Sequence, residues 1–306
     1  MNTSDQSEQY PQGDQDENKV KNVEMMPQLV SSEYKQVENR VSISPAVIHE
    51  AIRVEGEIEL NRTIFALACS SLAAGLSMGF SLIGRGVIHY YLPTTAFWRP
   101  LVDNFGYSLG FLIVILGRQQ LFTENTLTVI LPLLTHFDKR TTLRVLRLWG
   151  IVLLGNFVGA FLLATLVAQT LLFPPGIRDV FTQLSQQAFE GGFGLLLLRG
   201  IFAGWLIALM VWLLPASENM RLHIIVFVTY IIGVAAFAHV IVDAVSAFYL
   251  VSLGKVSFWY ALGAYLLPIL LGNIIGGVTL VAVLNYGQVA TEASKKEKGE
   301  QKEDKQ

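Results

Sequence analysis

Charged residues are scarce in this sequence. Asp, Glu, Lys and Arg make up 15% of its 306 residues, whereas 52% of the residues are hydrophobic and the mean hydropathy is +0.48. An ordinary soluble domain carries about 25% charged residues. The formal net charge is only −2, so nothing in the charge balance indicates a nucleic-acid partner. A soluble globular fold is therefore excluded.

Cysteine is almost absent, since Cys69 is the only one. It excludes an intrachain disulfide and a cysteine-based metal cluster. The sequence also lacks a phosphate-binding loop, an H-E-x-x-H motif and a nucleophile elbow. We therefore expect no enzyme activity, no cofactor and no metal site.

Hydrophobic residues are abundant and concentrated in six blocks. Each block is near or above the ~20 residues that a helix needs to cross ~30 Å of hydrocarbon, whereas a membrane β-barrel would show short alternating segments. The sequence predicts an all-α polytopic membrane protein with six transmembrane helices, at about 64–88, 104–135, 148–173, 193–214, 222–252 and 257–285.

The polar segments indicate the domains and the orientation. We expect a disordered tail over 1–43, an amphipathic helix over 44–62, a channel domain over 63–287 and a charged tail over 288–306. Ser44 and Pro45 fit the start of the amphipathic helix, and its apolar stripe would contact the membrane surface or a neighbouring subunit. The positive-inside rule places both termini in the cytoplasm, because basic residues cluster after the second block and in the C-terminal tail.

Two stretches share a motif. LLGNFVGAFLLATL starts at Leu153 and LLGNIIGGVTLVAV starts at Leu270, 117 positions later. They fall in spans three and six, so they run in opposite directions. Polar residues interrupt spans two and five at equivalent places, because Phe122 and His239 each lie 31 residues before a repeat. This pattern predicts an aquaporin-like inverted repeat of three plus three helices with helices two and five broken, although short glycine motifs also recur by chance.

These motifs resemble the formate/nitrite transporter family. The resemblance rests on LFT at 121–123, GN at 155–156, FAH at 237–239 and LGNIIGG at 271–277, and it covers about 45–287. RQQLFTENT and RLWGIVLLGN are most similar to the YfdC-like inner-membrane branch. The resemblance implies a homopentamer in the cell inner membrane, with one pore per protomer for small monovalent anions such as formate or nitrite.

The resemblance also implies roles for individual residues. His239 matches the central pore histidine, Thr123 the threonine of the first interruption, and Asn273 the asparagine of span six. Arg147 falls where a vestibule lysine is frequent. Leu121 and Phe122 match one hydrophobic constriction, and Ile232 stands where a second constriction often has Phe. Ala238 and Asp243 replace a usual Glu and Asn, so the substrate stays open.

A buried histidine suits anion transport because an imidazole, with a reference pKa of about 6.5, exchanges protons near neutral pH. A bare anion in hydrocarbon is heavily penalised, so we expect it to pass as the neutral acid, protonated through His239. Lipid and protons are then partners besides the anion. The alternative is a structural histidine that bonds backbone at the break.

The other candidate residues also have two interpretations. Thr123 and Asn273 bind the anion or satisfy backbone freed by the breaks. Arg147 concentrates anions or anchors lipid headgroups. Arg118 and Glu124 flank the first break, and we expect a salt bridge between them. Alternatively, Arg118 tunes the selectivity of the pore, a role that Asp243 would share by its charge. For the whole protein, an aquaporin-like channel for a neutral solute or a non-conducting scaffold remains the alternative function.

Overall fold

A computed structural model describes residues 43–279, and all regular structure in that range is helical. The predicted tails, 1–43 and 288–306, lie outside the described residues except for Ile43. The helices are α1 (Pro45–Leu60), α2 (Ile64–Tyr91), α3 (Arg99–Leu116), α4 (Asn125–Thr135, with a break at Val129), α5 (Lys139–Gln169), α6 (Pro175–Ala188), α7 (Phe193–Leu213), α8 (Arg221–Val234), α9 (Val240–Ser252) and α10 (Phe258–Thr279).

Five of the described helices are long and apolar enough to cross a membrane, namely α2, α3, α5, α7 and α10. The shorter apolar helices α4 and α9 follow the two polar interruptions. Helix α2 packs against α3 and α5, and α9 packs against α5. The interruptions therefore lie inside the bundle, where backbone outside a helix can find partners.

Helix α1 starts at the sequence signal, since Ser44 is its N-cap and accepts a hydrogen bond from the Val47 amide at 3.4 Å. The apolar stripe that periodicity predicts for α1 includes Val47 and Ile58, and these side chains stay 57% and 60% exposed on the outside of the protein. A second stripe, shifted by about one residue, packs against α4 and α7 of the same chain. That buried stripe consists of Ile48, Ile52, Gly56 and Leu60. A side chain at Gly56 would overlap the Thr128 carbonyl, which explains the close approach to α4.

Helix α6 was not predicted from the sequence, which indicated only a loop between spans three and four. It begins with Pro175 in its first turn and buries Ile177, Val180, Phe181 and Leu184. The spacing of these apolar positions is helical, but the segment is too short and polar to form an apolar block. Because it packs against α2 and α9, α6 covers the end of the bundle remote from α1.

The two interruptions have the same backbone conformation. Arg118 (φ 50°) and Ala236 (φ 53°) both lie in the left-handed region that non-glycine residues rarely adopt. The amide one residue later bonds back to the preceding helix in each case, from Gln119 to Val114 at 2.9 Å and from Phe237 to Ile232 at 3.0 Å. Both segments therefore leave their helix through the same turn.

Two glycines allow each of the two repeated helices to contact the backbone of a neighbouring helix. A Cβ at Gly75 in α2 would overlap the carbonyl oxygen of Asn156 in α5. A Cβ at Gly204 in α7 would overlap the carbonyl oxygen of Asn273 in α10. Each asparagine of the repeated phrase is thus held at the same kind of close helix crossing.

Candidate transport site

The two interruptions meet at a buried pair of side chains. Thr123 Oγ1 lies 2.7 Å from His239 Nε2, and both residues are 0% exposed. Phe111 contacts the imidazole edge-on, with ring centroids 4.8 Å apart. Thr123 follows α3 and His239 follows α8, so the pair joins residues 116 positions apart in the sequence. The two interruptions, which stand at equivalent places in the two halves of the sequence, therefore contact each other through side chains.

Hydrogen bonding assigns the tautomer of His239. The residue is the N-cap of α9, and its Nδ1 accepts from the Val242 amide at 3.4 Å. Since that nitrogen accepts, the ring proton is on Nε2, which donates to Thr123 Oγ1. The Thr123 hydroxyl hydrogen is left without a side-chain acceptor among the described residues. The pair therefore presents a hydroxyl donor backed by an imidazole.

Asn273 and Asn156 hold the interruptions in place. Asn273 Oδ1 accepts from the Val240 amide at 2.9 Å, and its Nδ2 donates to the carbonyls of Ala238 (2.9 Å) and Gly200 (2.8 Å). All donors and the acceptor of this side chain are thus used on backbone. Of the two interpretations of Asn273, the geometry favours the satisfaction of freed backbone.

Asn156 makes the same contacts in the other half, and the sequence analysis assigned it no role. Its Oδ1 accepts from the Phe122 amide at 2.9 Å, and its Nδ2 donates to the carbonyls of Gln120 and Ser71 at 2.8 Å each. Its place in the repeated L-G-N motif was the signal that could have identified it. Each interruption is therefore bracketed by an asparagine from the adjacent repeated helix.

The three apolar residues predicted to form constrictions are buried. Leu121 and Ile232 are 0% exposed and Phe122 is 1% exposed. Phe122 also packs edge-on against Trp149, with ring centroids 5.7 Å apart. Burial of this kind accompanies both a constriction and ordinary helix packing, so the constrictions stay a prediction.

A cavity of about 530 Å³, here called the proximal cavity, lies between α1 and the first interruption. Its charged side chains are Glu55, Glu59, Arg118, Glu124, Glu218 and Arg221. Arg118 pairs with Glu55 of α1 at 2.6 Å, so the predicted salt bridge between Arg118 and Glu124 is not formed. Gln120 donates to Glu59 at 2.8 Å. Glu59 also pairs with Arg62 at 3.1 Å, so guanidiniums neutralise both Glu55 and Glu59, and Glu124, Glu218 and Arg221 are the remaining titratable side chains of the lining.

A second cavity of about 330 Å³, here called the distal cavity, lies at the second interruption. Its lining includes Ala238, the neighbour of His239, and Asp243 of the first turn of α9. Neither Thr123 nor His239 lines either cavity. The chain neighbours of the pair line the cavities instead, Gln120 and Glu124 beside Thr123 in the proximal cavity and Ala238 beside His239 in the distal cavity.

Arg147 lies apart from both cavities. Its guanidinium donates to the carbonyls of Leu60 (2.9 Å) and Arg62 (3.4 Å) at the end of α1. It lines an open groove with Lys139, Arg140 and Arg144. The position suits an anchor for α1 and for headgroups better than a role inside a pore.

The start of α5 carries a perturbed carboxylate. Asp138 is the N-cap, and it accepts from the Thr141 amide at 2.9 Å and from the Thr141 hydroxyl at 2.8 Å. These hydrogen bonds lower the pKa of Asp138 below its ordinary value of 3.8. Within residues 43–279, no three His, Cys, Asp or Glu side chains lie close enough to hold a metal ion.

The chain matches a known protein family and several known proteins. The family model described as formate/nitrite transporter matches residues 46–287. The inner membrane protein YfdC of Escherichia coli (strain K12) is 37% identical over 86% of this chain and 84% of its own length. The formate channel BtFdhC of Bacillus thuringiensis is 25% identical over 78% of this chain and 92% of its own. A solved pentameric formate channel with formate bound superposes with a TM-score of 0.64 at 19% identity, covering 73% of this chain and 96% of that one.

Proposed function

The chain belongs to the formate/nitrite transporter family, and we propose that it carries small monovalent anions of weak acids, such as formate or nitrite, across the membrane together with a proton. The observation that carries the proposal is the 2.7 Å contact of Thr123 with His239. This contact is fully buried, and residues adjacent to it in the chain line one cavity on the Thr123 side and another on the His239 side.

Burial of the pair argues for passage as a neutral acid. The Born cost of an unpaired anion in a low-dielectric centre is tens of kcal/mol, and no cationic side chain contacts the Thr123–His239 pair in the described part of the chain. Protonation of the anion removes that cost. Leu121, Phe122 and Ile232 then admit the neutral acid and hold back hydrated ions.

The proton moves along the observed hydrogen bond. A proton that binds His239 Nδ1 displaces the Val242 amide, whose 3.4 Å contact is long and easily lost. Nε2 then gives its proton to Thr123 Oγ1 as the Thr123 hydroxyl proton passes to the anion. The imidazolium returns to neutral imidazole with its proton on Nδ1, and the anion leaves as the acid.

The same residues support an inverted repeat with six crossings. We propose that α3 with α4, and α8 with α9, each make one broken crossing, and that α2, α5, α7 and α10 make the others. The paired asparagine brackets and the paired left-handed turns support two halves in opposite orientation. We also propose a homopentamer in a cell inner membrane, by analogy with the pentameric structural neighbour.

The charge balance of the proximal cavity favours a second candidate, a channel for neutral solutes. Four carboxyl side chains and two guanidiniums line it, so its lining has no excess of positive charge that would concentrate anions. The bridge between Arg118 and Glu55 further occupies one of the two cations.

Swelling of vesicles that contain the full chain separates the two candidates. We expect faster swelling in ammonium formate and ammonium nitrite than in glycerol, and faster swelling at pH 6 than at pH 8, because the proton that crosses with the anion is more abundant at the lower pH. His239→Phe should abolish the anion-dependent swelling while native mass spectrometry still shows a pentamer. Rapid swelling in glycerol that survives His239→Phe would support the neutral-solute channel instead.

A further inference from the structure

The distal cavity contains a guanidinium and a carboxylate that do not pair with each other. Arg199 donates Nη1 to the Glu190 carbonyl at 2.8 Å, and Asp243 accepts from the Tyr265 hydroxyl. Both side chains line the same cavity, yet the ion pairs of residues 43–279 do not include one between them. Opposite charges in a confined space normally approach each other, so their separation leaves room for a bridging ligand.

Each of the two charges is held by its own support. Tyr265, which bonds Asp243, is 1% exposed and stacks on Phe189 with ring centroids 3.8 Å apart. Arg199 is tied to the loop before α7 through the Glu190 carbonyl. Each of the two side chains is therefore held by a hydrogen bond to a different partner.

An unused hydroxyl points to a ligand in the same place. Ser81 of α2 is 0% exposed, lines the distal cavity, and its Oγ has no hydrogen-bond partner. A buried hydroxyl without a partner costs free energy unless a bound molecule satisfies it. Ser81, Arg199 and Asp243 thus supply a donor, a cation and an acceptor to one cavity.

We propose that Arg199, Asp243 and Ser81 form a loading site that binds one small weak-acid anion together with one proton. Arg199 and Ser81 donate to the oxygens of the anion, and Asp243 shares the proton with it. An anion together with one proton is equivalent to the neutral acid, which binds in the same way: its carbonyl oxygen accepts from Arg199 and its hydroxyl donates to Asp243. This site rests on the proposed function, because it would collect the anion and a proton in the distal cavity, next to Ala238, before the relay through His239 transfers the proton to the anion.

The charges around Asp243 decide how binding depends on pH. The titratable or charged side chains near it are Arg85 from α2, Asp103 and Tyr107 from α3, Glu190 from the loop, Arg199 from α7 and Tyr265 from α10. Arg85 is occupied by Asp103, since their side chains lie 3.3 Å apart. Ionised Asp243 therefore acts on an anion at Arg199 by repulsion, and a proton on Asp243 removes that repulsion. Anion binding should strengthen as the pH falls.

Thermal unfolding of the purified full chain in mild detergent tests the site directly. Sodium formate is compared with sodium gluconate at equal ionic strength, at pH 6 and at pH 8. Formate should raise the Tm of the parent more at pH 6 than at pH 8. Asp243→Asn, which keeps an acceptor for Tyr265, should give an equal formate shift at both pH values. Arg199→Gln should lose the shift at both, whereas Arg199→Lys should retain part of it.

Asp179→Asn is the matched control, because Asp179 is an exposed carboxylate on α6 outside the cavity. It should keep the formate shift and the pH dependence of the parent. The proposal is overturned by a parent without any formate shift, by an Asp243→Asn protein that keeps the parent's pH dependence, or by an Arg199→Gln protein that binds formate like the parent. If Asp243→Asn does not assemble, the two Arg199 variants still decide.

Formate uptake by vesicles of the same proteins separates this inference from the proposed function. A parent that binds formate with the expected pH dependence but does not transport it refutes the function and leaves the site. A parent that transports formate, with Asp243→Asn unchanged in its pH dependence, refutes the site and leaves the function.

Discussion

Removal of either bracketing asparagine should destabilise the protein by a similar amount. Asn273→Ala takes away the acceptor of the Val240 amide and the donor to the Ala238 carbonyl. Asn156→Ala does the same to the Phe122 amide and the Gln120 carbonyl. The Gly200 and Ser71 carbonyls lie inside helices and keep their helical partners, so each variant leaves two backbone groups without a partner.

The magnitude follows from the cost of buried polar groups. Each unsatisfied group costs about 1–3 kcal/mol, so each variant should lose about 2–6 kcal/mol of unfolding free energy. Both asparagines are 0% exposed, and water cannot easily replace the lost hydrogen bonds. Transport should fall as well, because the two segments carry Thr123 and His239.

The effect is measured as the free energy of unfolding of the two variants in detergent with increasing denaturant concentration. Asn61→Ala is the control. Asn61 is exposed at the C-cap of α1, where its side chain donates to the Glu57 carbonyl at 2.8 Å and accepts from Arg144. Water can replace both bonds at this exposed position, so the control should lose less than about 1 kcal/mol. Equal losses from Asn156→Ala and Asn273→Ala are expected from the repeated geometry. A large loss from one and none from the other would refute the idea that the two brackets are equivalent.

Three further predictions follow from single contacts. Thr123→Val should reduce formate flux at least about 10-fold and Thr123→Ser should restore most of it, since only the serine keeps the hydroxyl next to His239; equal flux in both variants would argue against the relay. Gly75→Ala and Gly204→Ala should each cost about 1–3 kcal/mol of stability through overlap with an asparagine carbonyl, while Gly150→Ala, with nothing within 4 Å, should be neutral or stabilising. Asp138→Ala should lower the Tm at neutral pH, and the difference should vanish as the pH falls below about 3.8, because the lowered pKa of Asp138 stabilises the fold only while the group is ionised; a difference that persists at low pH would contradict this.

The sequence predicts the membrane-spanning helices well because hydrocarbon demands long apolar runs, and α2, α5, α7 and α10 follow from composition alone. The paired interruptions were also located from polar residues at equal distances from the repeat. These signals are local in the sequence, and their meaning does not depend on which surfaces pack together.

Contacts between residues that are distant in the sequence were harder to predict from the sequence. Helix α1 has two candidate stripes one residue apart, and the buried one contains Gly56, which periodicity does not count as apolar. Arg118 has a carboxylate six residues away in Glu124, yet it bonds Glu55, 63 residues earlier in the chain. Arg147 likewise binds carbonyls at the end of α1. These partners depend on how α1 folds back onto the bundle.

The most direct test of the account is whether formate crosses with its proton, and therefore without net charge. Luminal acidification of vesicles is measured after addition of formate, while valinomycin and potassium gradients set the membrane potential to 0 or −100 mV inside. The account predicts the same initial rate at both potentials. Moving a full elementary charge costs about 2.3 kcal/mol per 100 mV, which corresponds to a rate difference of up to about 50-fold, so formate flux that falls steeply at −100 mV would contradict passage as the neutral acid.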